Sequence, residues 1–224
     1  MTKQNRYILK DREQSSVAES FRALSAAIQD AQETSGVKTI LFTTASSGDG
    51  DSMTAINAAV TLAYAGNKVI LVDCDMRRPI VQEFFQLNFF GITNIIMEDK
   101  SIEEALQKTD IEGLTVLASG SIPQSPVELL SNPKLRELLE TLKTMADYVL
   151  LVSSPLIIKA STIISDACIV AAKVDGVILV IDSRSVKTKT AKKAVELLHG
   201  ARANLIGAVL NDVKLDEEFI YHAS

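Results

Sequence analysis

The chain has 224 residues, 47% of them hydrophobic, with only 10 glycines and 5 prolines, which excludes collagenous, low-complexity and disordered classes. A formal charge of −5, from 23 basic and 28 acidic residues, argues against the cationic field of a nucleic-acid binder, so no nucleic-acid partner is expected. Two cysteines, Cys74 and Cys168, are too few for a disulfide framework, and no apolar run approaches the roughly 18 residues of a membrane span. A cytoplasmic protein is expected, reaching a membrane only through a partner.

After a polar stretch at 1–15, Val17, Phe21, Leu24, Ala27 and Ile28 recur at helical spacing and predict an amphipathic helix over 16–32, stopped by Gly36. Short β-branched runs follow at 37–44, 68–72, 114–117, 148–152, 176–181 and 205–210. Helical patterns lie between them at 53–65, 80–86, 102–109, 133–145, 162–173 and 187–200. Strands that are apolar throughout belong to a parallel sheet covered on both faces. The expected fold class is therefore α/β, a doubly wound, mostly parallel sheet with helices on both faces, like a P-loop NTPase. One domain is expected at 16–213, with a short tail at 214–224.

In such a sheet ligands bind beyond the carboxyl ends of the strands. A phosphate loop there needs small residues so that backbone N–H groups converge on oxygens, then a lysine and a hydroxyl for magnesium. The loop at 45–52 has Gly48 and Gly50 for close approach and Ser52 where the hydroxyl belongs, but Asp51 where the lysine belongs. Taken alone it is also compatible with a tight turn with an acidic helix start. Asp73 and Asp75 end the second strand two residues apart. In extended backbone their carboxylates face one side, placed to hold magnesium and accept a proton, although two acids at a strand end also make an ordinary solvated turn.

The loop at 45–52, the run Asp73-Cys74-Asp75-Met76-Arg77-Arg78-Pro79 and the stretch from Ser119 to Leu130 together resemble the cytoplasmic domain of bacterial tyrosine kinases, which act with a membrane chain-length regulator in capsule and exopolysaccharide synthesis. The likeness runs from about Glu13 to Asn211. The resemblance implies ATP or ADP with Mg2+ as cofactors. It assigns Ser47, Gly48, Asp49, Gly50, Ser52 and Met53 to the nucleotide, and Ser52 and Asp73 to the metal. It makes Asp75 the base for a tyrosine hydroxyl and turns Asn211 toward adenine. On spacing alone Asn211 reads equally as a turn residue after a strand. The implied partners are a membrane polysaccharide chain-length regulator or export component and further copies of the chain, through Glu19 and Arg22.

Four departures from the family pattern point one way. Asp51 replaces the lysine that contacts the β- and γ-phosphates. One charge pair at about 4 Å and an effective dielectric of about 20 is worth about 4 kcal/mol, so reversing its sign weakens binding and, still more, phosphoryl transfer. Val152 stands where the family has an aspartate organising magnesium and water, and Ser153-Ser154-Pro155 replaces Thr-Pro-Pro ahead of a lengthened stretch to Asp166. The family's glutamate followed by two arginines at three-residue intervals survives as Glu19 and Arg22, with Ser25 in the last place. An exposed salt-bridged helix is the simpler reading of those three positions. Of the tyrosines at 7, 64, 148 and 221, only Tyr221 lies in the tail, where the family carries a phosphorylated cluster.

These departures predict weak nucleotide binding, impaired phosphoryl transfer and a regulatory role, with Asp51 non-functional in the lysine's place. The alternatives are an active tyrosine kinase with a substitute cation such as Arg77, and a partitioning-type nucleotide-switch ATPase, against which Asp75-Met76-Arg77-Arg78-Pro79 argues. Cys74, between two carboxylates, is expected to be packed and unreactive. Phe84, Phe85, Phe89 and Phe90 are expected in the core, and Lys187, Lys189, Lys192 and Lys193 on a solvated helix face.

Overall fold

The computed structural model describes residues 15–46, 50–157 and 165–213, with backbone alone at 50 and 51. The predicted loop residues Ser47, Gly48 and Asp49 lie outside the described residues. Helix α1 (Ser16–Ser35) opens under a Ser15 N-cap that accepts from the Ala18 N–H, and stops at Gly36, whose φ of 68° is the left-handed conformation glycine tolerates. Strand β1 (Thr39–Thr44), helix α2 (Gly50–Tyr64) and strand β2 (Val69–Asp73) follow, then α3 (Ile80–Phe85), α4 (Ile92–Glu98) and α5 (Ile102–Ala105). The remaining elements are β3 (Leu106–Lys108), β4 (Leu114–Leu117), α6 (Pro126–Ser131), α7 (Pro133–Met145), β5 (Tyr148–Val152), α8 (Asp166–Ala171), β6 (Gly176–Asp182), α9 (Thr188–Gly200) and β7 (Leu205–Asn211).

The seven strands form one sheet in the order β3-β4-β2-β5-β1-β6-β7. All neighbours are parallel except β3 against β4. This is the expected doubly wound α/β architecture. The chain runs outward from β1 through β2 to β4, then returns to insert β5 between β2 and β1. The carboxyl ends of β1, β2 and β5 therefore meet where the strand order reverses, the place at which open α/β sheets present their ligand crevice.

Each face of the sheet carries its own core. On one, Phe42, Leu71, Leu150 and Val152 pack under α2, with Ala18 and Ile28 of α1 in the same cluster. Residues 54–63 of α2 are all buried, which explains why that segment is small or apolar on every side. On the other face Leu41, Val72, Leu151 and Leu179 meet Leu135, Leu138, Leu139 and Leu142 of α7 and Ala194 and Leu198 of α9.

Three sequence expectations change. The helix predicted at 102–109 is one turn, after which Leu106–Lys108 pairs with β4 as an antiparallel edge strand. Pairing gives the β4 edge a hydrogen-bonded neighbour, and Gln107 holds the strand by exchanging hydrogen bonds with the Asn88 N–H and the Asn88 and Phe90 carbonyls. Of the helix predicted at 162–173, residues 162–164 lie outside the described residues; the described helix is Asp166–Ala171, with Ser165 extended and capping the Ala167 N–H. Of the four phenylalanines, Phe84 and Phe85 make an edge-to-face pair at 5.1 Å against the core and Phe90 is partly buried, but Phe89 is 68% exposed.

Helix α4 is seated by a close backbone approach. The Ile92 and Thr93 N–H groups donate to the Ala118 and Ser119 carbonyls, and a Cβ on Gly91 would lie 2.0 Å from the Ala118 carbonyl oxygen. Gly91→Ala is expected to cost about 2–3 kcal/mol by overpacking and to lower the Tm by about 5–10 °C in a thermal melt; an unchanged Tm would contradict the close approach.

Candidate nucleotide site at the carboxyl edge of the sheet

The end of β5 is stitched to both neighbours. The Leu156 N–H donates to the Thr44 carbonyl at 2.9 Å, the Thr43 hydroxyl to the Ser154 carbonyl at 3.1 Å, and the Cys74 N–H to the Val152 carbonyl at 2.8 Å. A parallel bridge between Ser46 and Ile157 continues the β1–β5 contact beyond the sheet. These bonds fix the floor from which the first loop departs toward α2. Gly50 opens that helix, Ser52 is buried in its first turn, and Met53 packs against the core beneath it.

Asp73 is the last residue of β2 and is fully buried. One carboxyl oxygen accepts the Asp75 N–H at 3.1 Å and the other the Val81 N–H at 3.2 Å. Burial pushes its pKa up to about 8, the neighbouring Asp75 adds to the rise, and the N–H donors hold it down in part. Asp75, also buried, accepts the Arg77 and Arg78 N–H groups at 3.2 and 3.1 Å. Its carboxyl is raised chiefly by burial and further by Asp166, against the pull of those N–H groups and of the Arg78 guanidinium, 3.9 Å away.

Val152 completes this floor. The ladder sets it directly opposite Asp73 on one side and Phe42 on the other, fully buried, so an isopropyl group occupies the position next to the buried carboxyl. Two polar atoms close by, Ser154 Oγ and Gln82 Oε1, are buried with no hydrogen-bond partner among the described residues. No group of three histidine, cysteine or acidic side chains able to hold a metal ion occurs among the described residues.

Asp166 is a member of this site that sequence reasoning passed over. It is 4% exposed and grips Arg77 through two bonds, Nε to one oxygen at 2.7 Å and the terminal guanidinium nitrogen to the other at 3.3 Å. The pair ties the segment after β2 to the start of α8 across 89 residues of sequence. The signal available was Ser165 as a helix N-cap, which places Asp166 in the first turn; nothing local identified its arginine.

The other predicted residues lie apart from this cluster. Asn211 ends β7, paired in register with Asp182 at the far side of the sheet, and its carbonyl accepts the Ser183 N–H. Glu19 and Arg22 are exposed on α1, whereas Ser25 has turned inward to 4% exposure. Tyr148 is buried and Tyr64 exposed at the end of α2; Tyr7 and Tyr221 lie outside the described residues. Cys74 is fully buried, its thiol pushed up by burial and then by Asp73 and Asp75, as expected of an unreactive strand residue. The side chain of Asp51 lies outside the described residues.

The AAA domain family matches residues 37–213. Tyrosine-protein kinase YwqD of Bacillus subtilis is 35% identical over 205 residues, covering 91% of this chain and 84% of that protein. Putative tyrosine-protein kinase CapB of Staphylococcus aureus is 31% identical over 213 residues, 95% of this chain and 91% of the relative. Among solved structures, the chimerical protein CapA2B2 superposes with a TM-score of 0.85 at 30% identity, covering 96% of this chain and 93% of the other.

The raised pKa of Asp73 has a consequence for stability. Below its ordinary value of 3.8 both folded and unfolded chains hold the proton; between 3.8 and about 8 only the unfolded chain releases it. Ionisation then favours unfolding, so this group removes stability as pH rises through that window, by at most about 1.4 kcal/mol per pH unit. Urea unfolding between pH 5 and 8 is expected to show a downward slope that Asp73→Asn reduces. Equal slopes in the two proteins would refute the buried neutral carboxyl.

Proposed function

The chain belongs to the AAA domain family and, within it, to the bacterial tyrosine kinases of capsule and exopolysaccharide biosynthesis, and from that premise we propose that its phosphoryl-transfer site is impaired and that it serves as a regulatory partner of a membrane polysaccharide chain-length or export component. The observation that carries this reading is Val152, buried in register beside Asp73 where the family pattern has an aspartate. A P-loop fold of this family implies nucleotide binding, and Gly50, Ser52 and Met53 at the start of α2, with Ser47, Gly48 and Asp49 before them, are the residues that would receive the phosphates. Asp51 would meet those phosphates with a negative charge in place of the lysine's positive one.

The donor set does not fit a resident magnesium ion. Both oxygens of Asp73 are already engaged by N–H groups, its raised pKa favours the neutral acid, and Val152 offers no ligand. Magnesium asks for hard, charged oxygens in near-octahedral array. Phosphoryl transfer consists largely of positioning and charge neutralisation, so losing both the cation and the metal anchor weakens it more than loss of a single contact.

One observation favours the active-kinase reading. Asp75 remains in place and its raised pKa moves it toward the range of a useful general base for a tyrosine hydroxyl. The substitute cation is the weak point of that reading, because one edge of the Arg77 guanidinium, through Nε and a terminal nitrogen, is committed to Asp166. Partnership draws support from CapA2B2, a chimera whose name joins a CapA and a CapB piece, together with the likeness to CapB. A CapA-type membrane segment is accordingly the partner proposed, with Glu19 and Arg22 left as a reduced self-association face.

Calorimetric titration with ADP and magnesium separates the readings. The unmodified chain is expected to bind no tighter than about 100 μM, and Asp51→Lys combined with Val152→Asp to gain at least about 100-fold, or about 2.7 kcal/mol. Asp51→Lys alone, which leaves the buried floor intact, is expected to recover part of the gain. Micromolar binding by the unmodified chain, or phosphotyrosine formed from ATP, would reject the impaired site.

A further inference from the structure

A cavity of about 350 Å³ opens at the amino ends of β2 and β4, at the other end of the sheet from Asp73. The strand register places its floor. Thr115 of β4 is paired with Ile70 of β2 on one side and with Lys108 of β3 on the other, so the three side chains form a row on one face of the sheet. Ile70 belongs to the core under α7, which identifies that face. The two walls differ in kind. On one side α7 ends at Met145 and Ala146 follows; on the other runs the edge strand, with Leu106 and Lys108, because α5 stops at Ala105 and the chain continues as β3.

The turn beneath the cavity is held by its own hydrogen bonds. The Thr109 hydroxyl donates to the Leu114 carbonyl at 2.9 Å and accepts the Ile111 N–H at 3.1 Å, while the Val69 N–H donates to the Gly113 carbonyl at 2.8 Å. Gly113 has a φ of 83°, and a Cβ there would stand 2.8 Å from the Asn67 carbonyl oxygen. Within this frame several polar groups have no partner. The Thr115 hydroxyl, half-buried in the floor, makes no hydrogen bond among the described residues. Lys68, Lys108 and Glu112 line the cavity, are exposed, and make no ion pair among the described residues.

We propose that this cavity binds a small apolar monocarboxylate, its body over Ile70 against Met145 and Ala146 and its carboxylate toward the Thr115 hydroxyl and the ammonium groups of Lys108 and Lys68. The row Ile70, Thr115, Lys108 passes from apolar through hydroxyl to cation, which is the order of polarity along such a ligand. Small-molecule sites have this make-up, a concave and mainly apolar recess of about 300–1,000 Å³ with a few polar groups that fix orientation. Two ammonium groups against the single carboxylate of Glu112 leave one positive charge in the lining, which matches a monoanion better than a phosphate dianion. Met145, 37% exposed, gives the body an unbranched thioether wall that adapts to its shape. The cavity shares no residue with the cluster around Asp73, so its test stands apart from the impaired-kinase reading.

Titration of the full chain with phenylpropionate at about pH 7, where the compound is ionised, is followed by amide shifts in proton–nitrogen correlation spectra. Saturable shifts are expected at Gly113, Thr115 and Ala146, with a Kd of about 0.1–1 mM. Phenylpropanol, which keeps the body without the charge, is expected to bind about fivefold weaker, and phenylpropylamine at least about tenfold weaker. Lys68→Gln with Lys108→Gln is expected to weaken phenylpropionate about fivefold and leave phenylpropanol unchanged, a difference that a damaged fold would not produce. Thr115→Phe, which fills the floor, is expected to abolish binding of all three, with unchanged amide shifts at the carboxyl ends of the strands as the check on folding. Absence of saturable shifts at the lining amides, equal affinities for the three compounds, or unaltered phenylpropionate affinity in the lysine variant would overturn the proposal.

Discussion

A single register contact, Asp73 opposite Val152, sets the character of this molecule's central site. Two neighbouring strands of a parallel sheet end together, one in a carboxyl and the other in an isopropyl group, both removed from water. A carboxyl in such a place is pushed toward its neutral form by burial, while donors to its oxygens favour the ionised form. Asp73 feels both, with the Asp75 and Val81 N–H groups offsetting part of the rise that burial causes. The segment after β2 is folded around those two bonds. The same bonds that satisfy Asp73 set the turn presenting Asp75 and bring α3 back over the strand end.

Positive charge in the neighbourhood is drawn into the same internal economy. Arg77 closes on Asp166 and Arg78 leans toward Asp75, so each guanidinium offsets a buried carboxyl. Moving either arginine away to a ligand would leave its buried carboxyl uncompensated. The scaffold of a nucleotide site persists, with parallel strand ends, a helix starting at Gly50 and a switch in strand order. Its electrostatics are turned inward.

How far the sequence anticipated this depends on the range of the determining interaction. The sheet was legible because most of the six predicted strands are apolar without alternation, and such runs in alternation with helices admit few architectures. Helix ends set by local chemistry were also legible: Gly36 stops α1, and Asn132 followed by Pro133 starts α7 where expected. The misreadings came where distant partners decide. Leu106–Lys108 has a helical pattern by itself and becomes a strand because β4 offers a free edge. Among the described residues α8 starts under a Ser165 side chain that caps the helix and also reaches the Pro155 carbonyl. Within the site, Asp73, Asp75 and Val152 were identifiable from their positions at strand ends, but Asp166 was not. Its role exists only through an arginine 89 residues away in the chain.

Separating the fold from the chemistry it carries explains how the family framework would survive the impaired site proposed above. The sheet ladder, the two leucine- and valine-rich cores and the stitching of β5 to β1 and β2 are neutral interactions, indifferent to whether phosphate ever enters. On that reading the differing residues at the strand ends and the first loop, Val152 and Asp51, sit where charge, not packing, is at issue. Valine at 152 is well suited to a buried strand end, and buries apolar area where an aspartate would bury a charge. On the proposed reading, valine there costs the fold nothing while removing a group that would anchor a metal. On the proposed reading, a chain whose task is to bind a partner would retain this framework without the charge arrangement, because the sheet and its two cores hold together without it.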